Sequence, residues 1–282
     1  MGKIIDGKKI SQKILAGLKK EVFALKQKGI VPGLAIVQVG ENPASNVYVS
    51  KKLEKAKEMG FNAWHVHLPQ NISFEEIKSK IAELNADKKV SGMIVQLPLP
   101  KHLDPWKVME LIGPAKDVDG FSFANQGKLF AGTPMFVPAT PKGIIALIKS
   151  TKQKIAGKNC VVVGRSSIVG KPVSQLLLAE NGTVTVCHSK TKNLAQFTKN
   201  ADFLVVAVGK PKIVKGSMVK KGAVVIDVGT TKVAGKLVGD VDFESTKKRA
   251  AFITPVPGGV GPMTIASLLE NTLAACKSQN SV

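Results

Sequence analysis

The chain has 282 residues, 44% of them hydrophobic, and a formal net charge of +21. That much apolar side chain supports a packed core and excludes a disordered chain, and the length suffices for two domains. The positive charge invites a nucleic-acid reading, but only Arg165 and Arg249 among the 41 basic residues are arginines. The lysines are scattered from end to end, whereas a dedicated reader of bases or phosphates leans on arginine forks. The surplus therefore reads as a solvated lysine surface able to draw in an anionic substrate, with no nucleic-acid partner.

Cys160, Cys187 and Cys276 are an odd number at wide, unpatterned spacing, which fits reduced buried thiols and a cytoplasmic location rather than a disulfide framework. The opening "MGKIIDGKKI" has no apolar run long enough for a signal peptide, and Asp6 stands where a myristoylation signal needs Ser or Thr. Nowhere does an apolar stretch reach the length of a membrane span, so no membrane partner is expected.

Residues 31–112 alternate apolar runs with helical patterns: "VPGLAIVQVG", a helix over 43–59, "FNAWHVHLP", "SFEEIKSKIAELNAD" and "VSGMIVQLPLP". This βαβαβ rhythm predicts a parallel sheet. Ser73 and Glu76 form a capping box for the second of these helices. Across 113–142 the texture turns to Gly, Pro, Asp and Asn, as a linker or an active-site loop would. A second rhythm follows in "NCVVVG", a helix from Pro172 to Ala179, "GTVTVCHS", "ADFLVVAVG", "GAVVIDVG" and "AAFITPV". The last segment, "MTIASLLENTLAAC", carries helical spacing. The expected fold class is α/β: two α/β domains, the second a Rossmann-like doubly wound parallel sheet, with the active site in the cleft between them.

"VVVGRSSIVGKP" runs a strand through a glycine turn into Gly170 and Pro172 at the opening of a helix, a phosphate cradle in outline. It lacks the full G-x-G-x-x-G, and an ordinary strand-to-helix turn also uses glycines. An NAD site usually carries an acid about 20 residues after the turn to hold the ribose hydroxyls. Here that region reads "VCHSKTKN" without one. Ser189, its lysine neighbours and Arg165 directly after Gly164 suit an extra phosphate, so NADP is the expected cofactor. His188 reads as a cap or surface histidine. His65 and His67 share one face of a strand with no third ligand nearby, and no metal is expected.

The only tyrosine, Tyr48, precedes Lys51 and Lys52. At about 100° per residue, Val49, Leu53, Ala56 and Gly60 share a helix face. Lys52 lies about 60° from its centre, and Lys51 points about 160° away, to solvent. A lysine at the edge of a buried face has its pKa lowered by desolvation and can act as a base; a snorkelling lysine with its head in water fits the same positions. Gln96 ends a strand of the first sheet, where ligands of open α/β sheets bind or where a polar residue merely caps the strand. Asp117 and Asp119 in "KDVDGF" fit either a turn or a site. "TPVPGGVGPMT" lets backbone approach a flat ligand closely.

In order, Tyr48 and Lys52, "VQLPLP", "KDVDGF", "VGRSSIVGKP", "CHSKT", "GDVDF" and "PVPGGVGPMT" resemble the bifunctional methylenetetrahydrofolate dehydrogenase/methenyltetrahydrofolate cyclohydrolase family, almost from end to end. The resemblance implies oxidation of 5,10-methylenetetrahydrofolate by NADP⁺, then hydrolysis of the methenyl product to 10-formyltetrahydrofolate. It implies Lys52 as the proton-transfer residue, Gln96 hydrogen-bonded to it, Tyr48 stacked on the folate rings and Asp119 on the pterin edge. Ser45, Pro98, Pro257, Gly258, Gly259 and Val260 match folate-contacting positions; Gly164, Arg165, Ser166, Ser189 and Thr230 match cofactor-contacting ones. A folate-binding domain over 1–120, joined by a returning helix from about 264 to 282, and a cofactor domain over 121–263 are implied, as are a homodimer through the cofactor domains and a polyglutamylated substrate.

The chain departs from the family's usual pattern at Ser122 and Phe123, commonly His-Pro, at Ala139, usually Cys, and at Thr230, usually Ile. None of these replaces a residue given chemistry. A short-chain dehydrogenase also uses a Tyr-x-x-x-Lys pair, but there the pair follows the glycine turn, and Tyr48 precedes Gly164 by more than a hundred residues. A dehydrogenase without the hydrolase is disfavoured by Lys52 and Gln96 both being present. A non-enzymatic basic binding protein would show salt-dependent DNA retention and no folate-dependent NADPH production.

Overall fold

The computed structural model describes residues 1–282, apart from the side chain of Ala44. The chain opens with β1 (Lys3–Ile4), α1 (Gly7–Gln27), β2 (Gly33–Val39), α2 (Pro43–Glu58), β3 (Asn62–Leu68), α3 (Phe74–Ala86) and β4 (Gly92–Val95). Three helices follow: α4 (Pro105–Met109), α5 (Phe123–Phe130) and α6 (Ala139–Ser150). Next come β5 (Asn159–Val163), α7 (Gly170–Ala179), β6 (Thr183–Cys187), α8 (Leu194–Thr198) and β7 (Phe203–Val206). The last elements are β8 (Val224–Asp227), β9 (Thr231–Val233), β10 (Lys236–Val238), α9 (Phe243–Lys247), β11 (Phe252–Ile253) and α10 (Val260–Gln279).

Contacts divide the residues into two compact units, Met1–Gln12 with Thr140–Thr264 and Lys13–Ala139 with Ile265–Val282. This grouping differs from a division at 120 in two places. Residues 1–12 belong with the later sheet because β1 pairs in parallel with β11, Lys3 opposite Phe252 and Ile4 opposite Ile253. Residues 121–139 belong with the earlier one, tied there by side chains of Asp117 and Asn271.

The first of these sheets has three parallel strands in the order β3-β2-β4. Every residue of β2 is buried, as a strand covered on both faces must be. Its alternation sorts the core: Leu34 and Ile36 pack with Leu18 and Val22 of α1, Val49 and Ala56 of α2 and Leu269 of α10. Ala35, Val37 and Val39 pack on the other side with Ile77 and Ile81 of α3 and Val108 of α4. The capping box at Ser73 and Glu76 starts α3 as the spacing predicts. Gly60 is corrected: α2 ends at Glu58, and Gly60, at φ +89°, closes the helix with Phe61 N–H donating to the Ala56 carbonyl at 3.0 Å rather than lining its buried face.

The second sheet has six strands in the order β1-β11-β8-β7-β5-β6, all parallel. Five of them are the β-branched runs read from sequence; β1 and the β9–β10 hairpin are additions. One face of this sheet packs Val161, Val163, Leu204, Val206 and Val225 against Val214, Val219 and Val241. Helix α7 begins at Gly170, two residues ahead of the expected Pro172. Its Ser174 hydroxyl donates back to the Gly170 carbonyl at 2.8 Å.

Of the polar side chains that α10 buries in the three-stranded unit, Ser267, Asn271 and Thr272, it is Asn271 that ties a distant segment. The Asn271 amide donates to the Val118 carbonyl at 2.9 Å and to the Val137 carbonyl at 2.8 Å, holding the whole 118–137 segment at both ends. Asn271→Ala leaves two carbonyls without that donor, and urea unfolding of the variant is expected to show a loss of about 2 kcal/mol or more; an unchanged midpoint and slope would show that water replaces the amide.

Candidate active site

Two groups of residues gather at carboxyl ends of parallel strands, one in each unit. In the three-stranded unit, β2 leads into α2, which carries Ser45, Tyr48 and Lys52, and β4 leads into Gln96 and Pro98. The Gln96 N–H continues the sheet by donating to the Val37 carbonyl at 2.8 Å. Its side chain is oriented from both ends: Nε2 donates to the Leu97 carbonyl at 2.7 Å, and Oε1 accepts from Lys52 Nζ at 3.0 Å. The Leu97 carbonyl also accepts from the buried Ser45 hydroxyl at 3.4 Å. The Leu97–Pro98 peptide is cis, and Pro98 is exposed.

Helix geometry separated the two lysines correctly. Lys51 is exposed, and Lys52 is half-buried beside the amide oxygen of Gln96. Desolvation pushes the Lys52 pKa down, and the negative charge of Asp119 resists that fall. Tyr48 keeps 40% of its surface exposed.

The two loop carboxylates have different roles. Asp117 is buried and accepts from the Ser122 N–H at 2.8 Å and the Asn125 amide at 2.9 Å, so it organises the start of α5. Asp119 is drawn to about 6, first by desolvation, with Lys52 opposing the rise and Asp117 adding to it. Its neighbour Val118 sits so close to β4 that a Cβ on Gly92 would approach the Val118 side chain to 2.4 Å. Of the family departures, Ser122 caps α5, Phe123 is exposed and stacks on Trp106 with ring centroids 5.9 Å apart, and Ala139 is buried.

In the six-stranded unit a cleft of about 300 Å³ opens beyond β5, β6 and β7, lined by Gly164, Arg165, Ser166, Ser189, Val208 and Lys210 among others, with no carboxylate in its wall. Gly164 has φ +135°, and a Cβ there would lie 2.3 Å from the Ala207 carbonyl oxygen. The helix amides are less available than the motif suggests. Ser166 Oγ accepts from the N–H groups of Val169 and Gly170, both at 3.2 Å, and the Ser166 carbonyl accepts from Lys171. The cations Arg165 and Lys210 and the hydroxyls are therefore the stronger anion-binding groups. His188 lies in the turn after β6, its Nδ1 accepting from the Lys190 N–H at 3.2 Å.

Thr230 is exposed in the turn after β8 and does not line this cleft, although the adjacent Thr231 hydroxyl donates to the Gly209 carbonyl at 3.3 Å. In the "PVPGGVG" loop, Pro257 is exposed, Gly258 has φ +105°, and Gly259 and Val260 are buried at the start of α10. The Lys8 N–H donates to the Gly258 carbonyl at 3.1 Å. Sequence reasoning missed Asn271, Val208 and Lys210. It quoted Asp240 within "GDVDF" without a role, and that motif was the available signal.

His65 and His67 stack at 5.2 Å, but His65 Nε2 pairs with Gln38 and His67 Nε2 with the Gly40 carbonyl, each at 3.1 Å. Among the described residues no group of three or more His, Cys, Asp or Glu could hold a metal ion, and no helix is long and apolar enough to cross a membrane. All three cysteines are free and buried.

The charge pairing of Lys52 with Asp119 makes a titration prediction. Positive Lys52 lowers the Asp119 pKa, so Lys52→Met is expected to raise it above about 6. Carbon-13 NMR titration of the aspartate carboxyls reads this directly, and an unmoved Asp119 would show that the two groups do not interact.

The chain matches two family models, the tetrahydrofolate dehydrogenase/cyclohydrolase catalytic domain over residues 5–119 and the NAD(P)-binding domain of the same family over 138–280. It is 55% identical over 278 residues to the "Bifunctional protein FolD" of Acetivibrio thermocellus, covering 98% of each chain. The crystal structure of the bifunctional FolD methylenetetrahydrofolate dehydrogenase/cyclohydrolase of Campylobacter jejuni superposes with a TM-score of 0.97 at 45% identity, covering 99% of each chain. The Trypanosoma brucei enzyme, solved with NADP cofactor and an inhibitor, gives a TM-score of 0.96 at 40% identity over 100% of this chain and 99% of that one. Identity at this level over nearly the whole length, with both domain models matched in order, shows that the chain belongs to the tetrahydrofolate dehydrogenase/cyclohydrolase family.

Proposed function

We propose that the chain oxidises 5,10-methylenetetrahydrofolate with NADP⁺ and hydrolyses the methenyl product to 10-formyltetrahydrofolate, with Lys52 as the proton-transfer residue of the hydrolysis. The observation that carries this reading is the half-buried Lys52 amine, lowered in pKa by desolvation and hydrogen-bonded to Gln96 at 3.0 Å. Both activities belong to the family.

NADP⁺, when bound, accepts a hydride from the carbon bridging N5 and N10 of the folate. Loss of that hydride leaves a methenyl cation. A protonated Lys52 beside it would be repelled, which favours the neutral amine there. Water adds to the cationic carbon, and neutral Lys52 takes a proton from it. The carbon–N5 bond then breaks, N5 regains a proton, and the formyl group stays on N10. Gln96 holds the amine in place through its amide oxygen, whose orientation is set by the Nε2 bond to Leu97. Tyr48, 40% exposed, is assigned to stacking on the folate, and Asp119, its pKa raised to about 6, suits hydrogen bonding to the pterin edge. Ser45 and Pro98 flank this group, and the Pro257–Val260 loop is assigned to the folate by its match to the family motif.

The cofactor reading places Gly164, Arg165, Ser166 and Ser189 against the dinucleotide, with Thr230 on the neighbouring turn. It is supported by the lack of a carboxylate in the cleft wall and by the exposed Arg165 directly after Gly164. A homodimer through the cofactor unit extends the reading: β6 is the terminal strand of its sheet, and Val186 on it is 38% exposed. The net charge of +21 suits a polyglutamylated folate, and three free buried thiols suit a cytoplasmic location.

Decay of the methenyl absorbance tests the hydrolysis. Lys52→Met is expected to abolish it while Lys51→Met leaves the rate within about twofold; equal effects of the two changes would remove the role from Lys52. The pH profile should fall on the acid side as Lys52 becomes protonated. For the cofactor, Arg165→Ala is expected to weaken NADP⁺ at least tenfold and NAD⁺ much less, measured as KM in NAD(P)H production from methylenetetrahydrofolate. Equal weakening would mean that Arg165 does not read the extra phosphate.

A further inference from the structure

The six-stranded unit buries two carboxylates that the reaction above does not use. Asp240 is 0% exposed and Asp227 is 4% exposed. Asp240 Oδ2 accepts from the N–H groups of Val208 at 2.7 Å and Gly209 at 2.9 Å, more than thirty residues earlier in the chain. Its Oδ1 is buried with no hydrogen-bond partner among the described residues. The Asp240 N–H donates to Asp227 Oδ1 at 2.9 Å, and the Asp227 carboxylate also accepts from Gly229 N–H at 3.1 Å and Val241 N–H at 2.9 Å. The Asp227 N–H in turn donates to the Thr254 hydroxyl at 2.8 Å.

These bonds connect three turns at one end of the sheet: 207–209 after β7, 228–230 after β8, and 239–241. Two glycines make the approach possible. A Cβ at Gly229 would lie 2.2 Å from Asp240 Oδ1, and one at Gly239 would lie 1.9 Å from Asp227 Oδ2. Burying two neighbouring carboxylates is unfavourable, and the desolvation that pushes Asp227 up to about 6 is one sign of it. A turn that only had to close the sheet would need neither charge. The turn held by Asp240 does more, because Ala207, Val208 and Lys210 form one wall of the cleft that Gly164, Arg165 and Ser166 form on the other side.

We propose that Asp240, braced by Asp227, is a positioning residue for the nicotinamide dinucleotide: its buried carboxylate fixes the Val208–Gly209 turn that walls the cofactor cleft, and it has no part in the hydrolysis. This rests on assigning that cleft to the dinucleotide. Removing the carboxylate leaves two backbone N–H groups unpaired and lets the turn relax into the cleft or away from it. Isosteric asparagine retains one oxygen for the two amides.

Calorimetric titration of NADP⁺ into the full-length protein tests this, alongside hydrolysis of supplied methenyltetrahydrofolate, which consumes no cofactor. Asp240→Ala is expected to raise the NADP⁺ Kd at least tenfold while leaving hydrolysis within about twofold. Asp240→Asn is expected to recover most of the affinity, and Asp240→Ser, whose hydroxyl is too short to take up both amides, replaces the alanine variant with the same expected loss if that variant does not fold. An unchanged Kd overturns the proposal, as does a parallel loss of hydrolysis or an asparagine variant no better than alanine. If the unmodified protein itself binds no NADP⁺, the assignment of the cleft falls and the proposal with it; normal binding with an unchanged variant removes only the role of Asp240.

Discussion

The amine of Lys52 is kept from bulk water while one amide oxygen, that of Gln96, accepts a hydrogen from it. Most of the three-stranded unit bears on that single contact. Burial is the largest effect on both Lys52 and Asp119, and it drives each toward its neutral form. Their mutual attraction pulls the other way. A fully solvated lysine would be a poor base at neutral pH, and a firmly ion-paired one would hold its proton. The site lies between those limits because the carboxylate that supports the ammonium is itself partly desolvated.

The scaffold explains how that balance is held. Parallel strands covered on both faces leave polar groups a place chiefly at the strand ends. β2 and β4 deliver α2 and Gln96 to the same end, and α10 fixes the Asp119 loop from behind through Asn271 and the Val118 carbonyl. The six-stranded unit solves the related problem of shaping a turn at a strand end with buried carboxylates that collect backbone N–H groups.

Local pattern was informative where structure is local. The nearly continuous apolar run of β2 and the β-branched runs of β5, β7 and β8 mark buried parallel strands. The Ser73–Glu76 box marks the start of α3, and a turn of helix distinguishes Lys52 from Lys51. The missing acid after β6 and the arginine after Gly164 are likewise adjacent to the motif that gives them meaning. Where a reading failed, a neighbour distant in sequence or a local capping bond had intervened. Gly60 closes its helix instead of lining it, and Ser166 occupies amides that an anion was expected to meet.

Sequence by itself determined the α/β class, the two parallel sheets, which of the two lysines lies nearer the buried helix face and the family to which the motifs belong. Only the tertiary structure decided that Asp117 organises α5 while the charge of Asp119 acts on Lys52, that residues 1–12 join the later sheet, and that Asp240 holds the Val208–Gly209 turn. The reason is the range of the forces involved. Helix and strand periodicity are written within a few residues, and a side chain's face follows from them. The pKa of a carboxylate and the partner of a buried N–H depend on groups brought together from across the chain. Asp240 and Val208 stand 32 residues apart and meet at 2.7 Å.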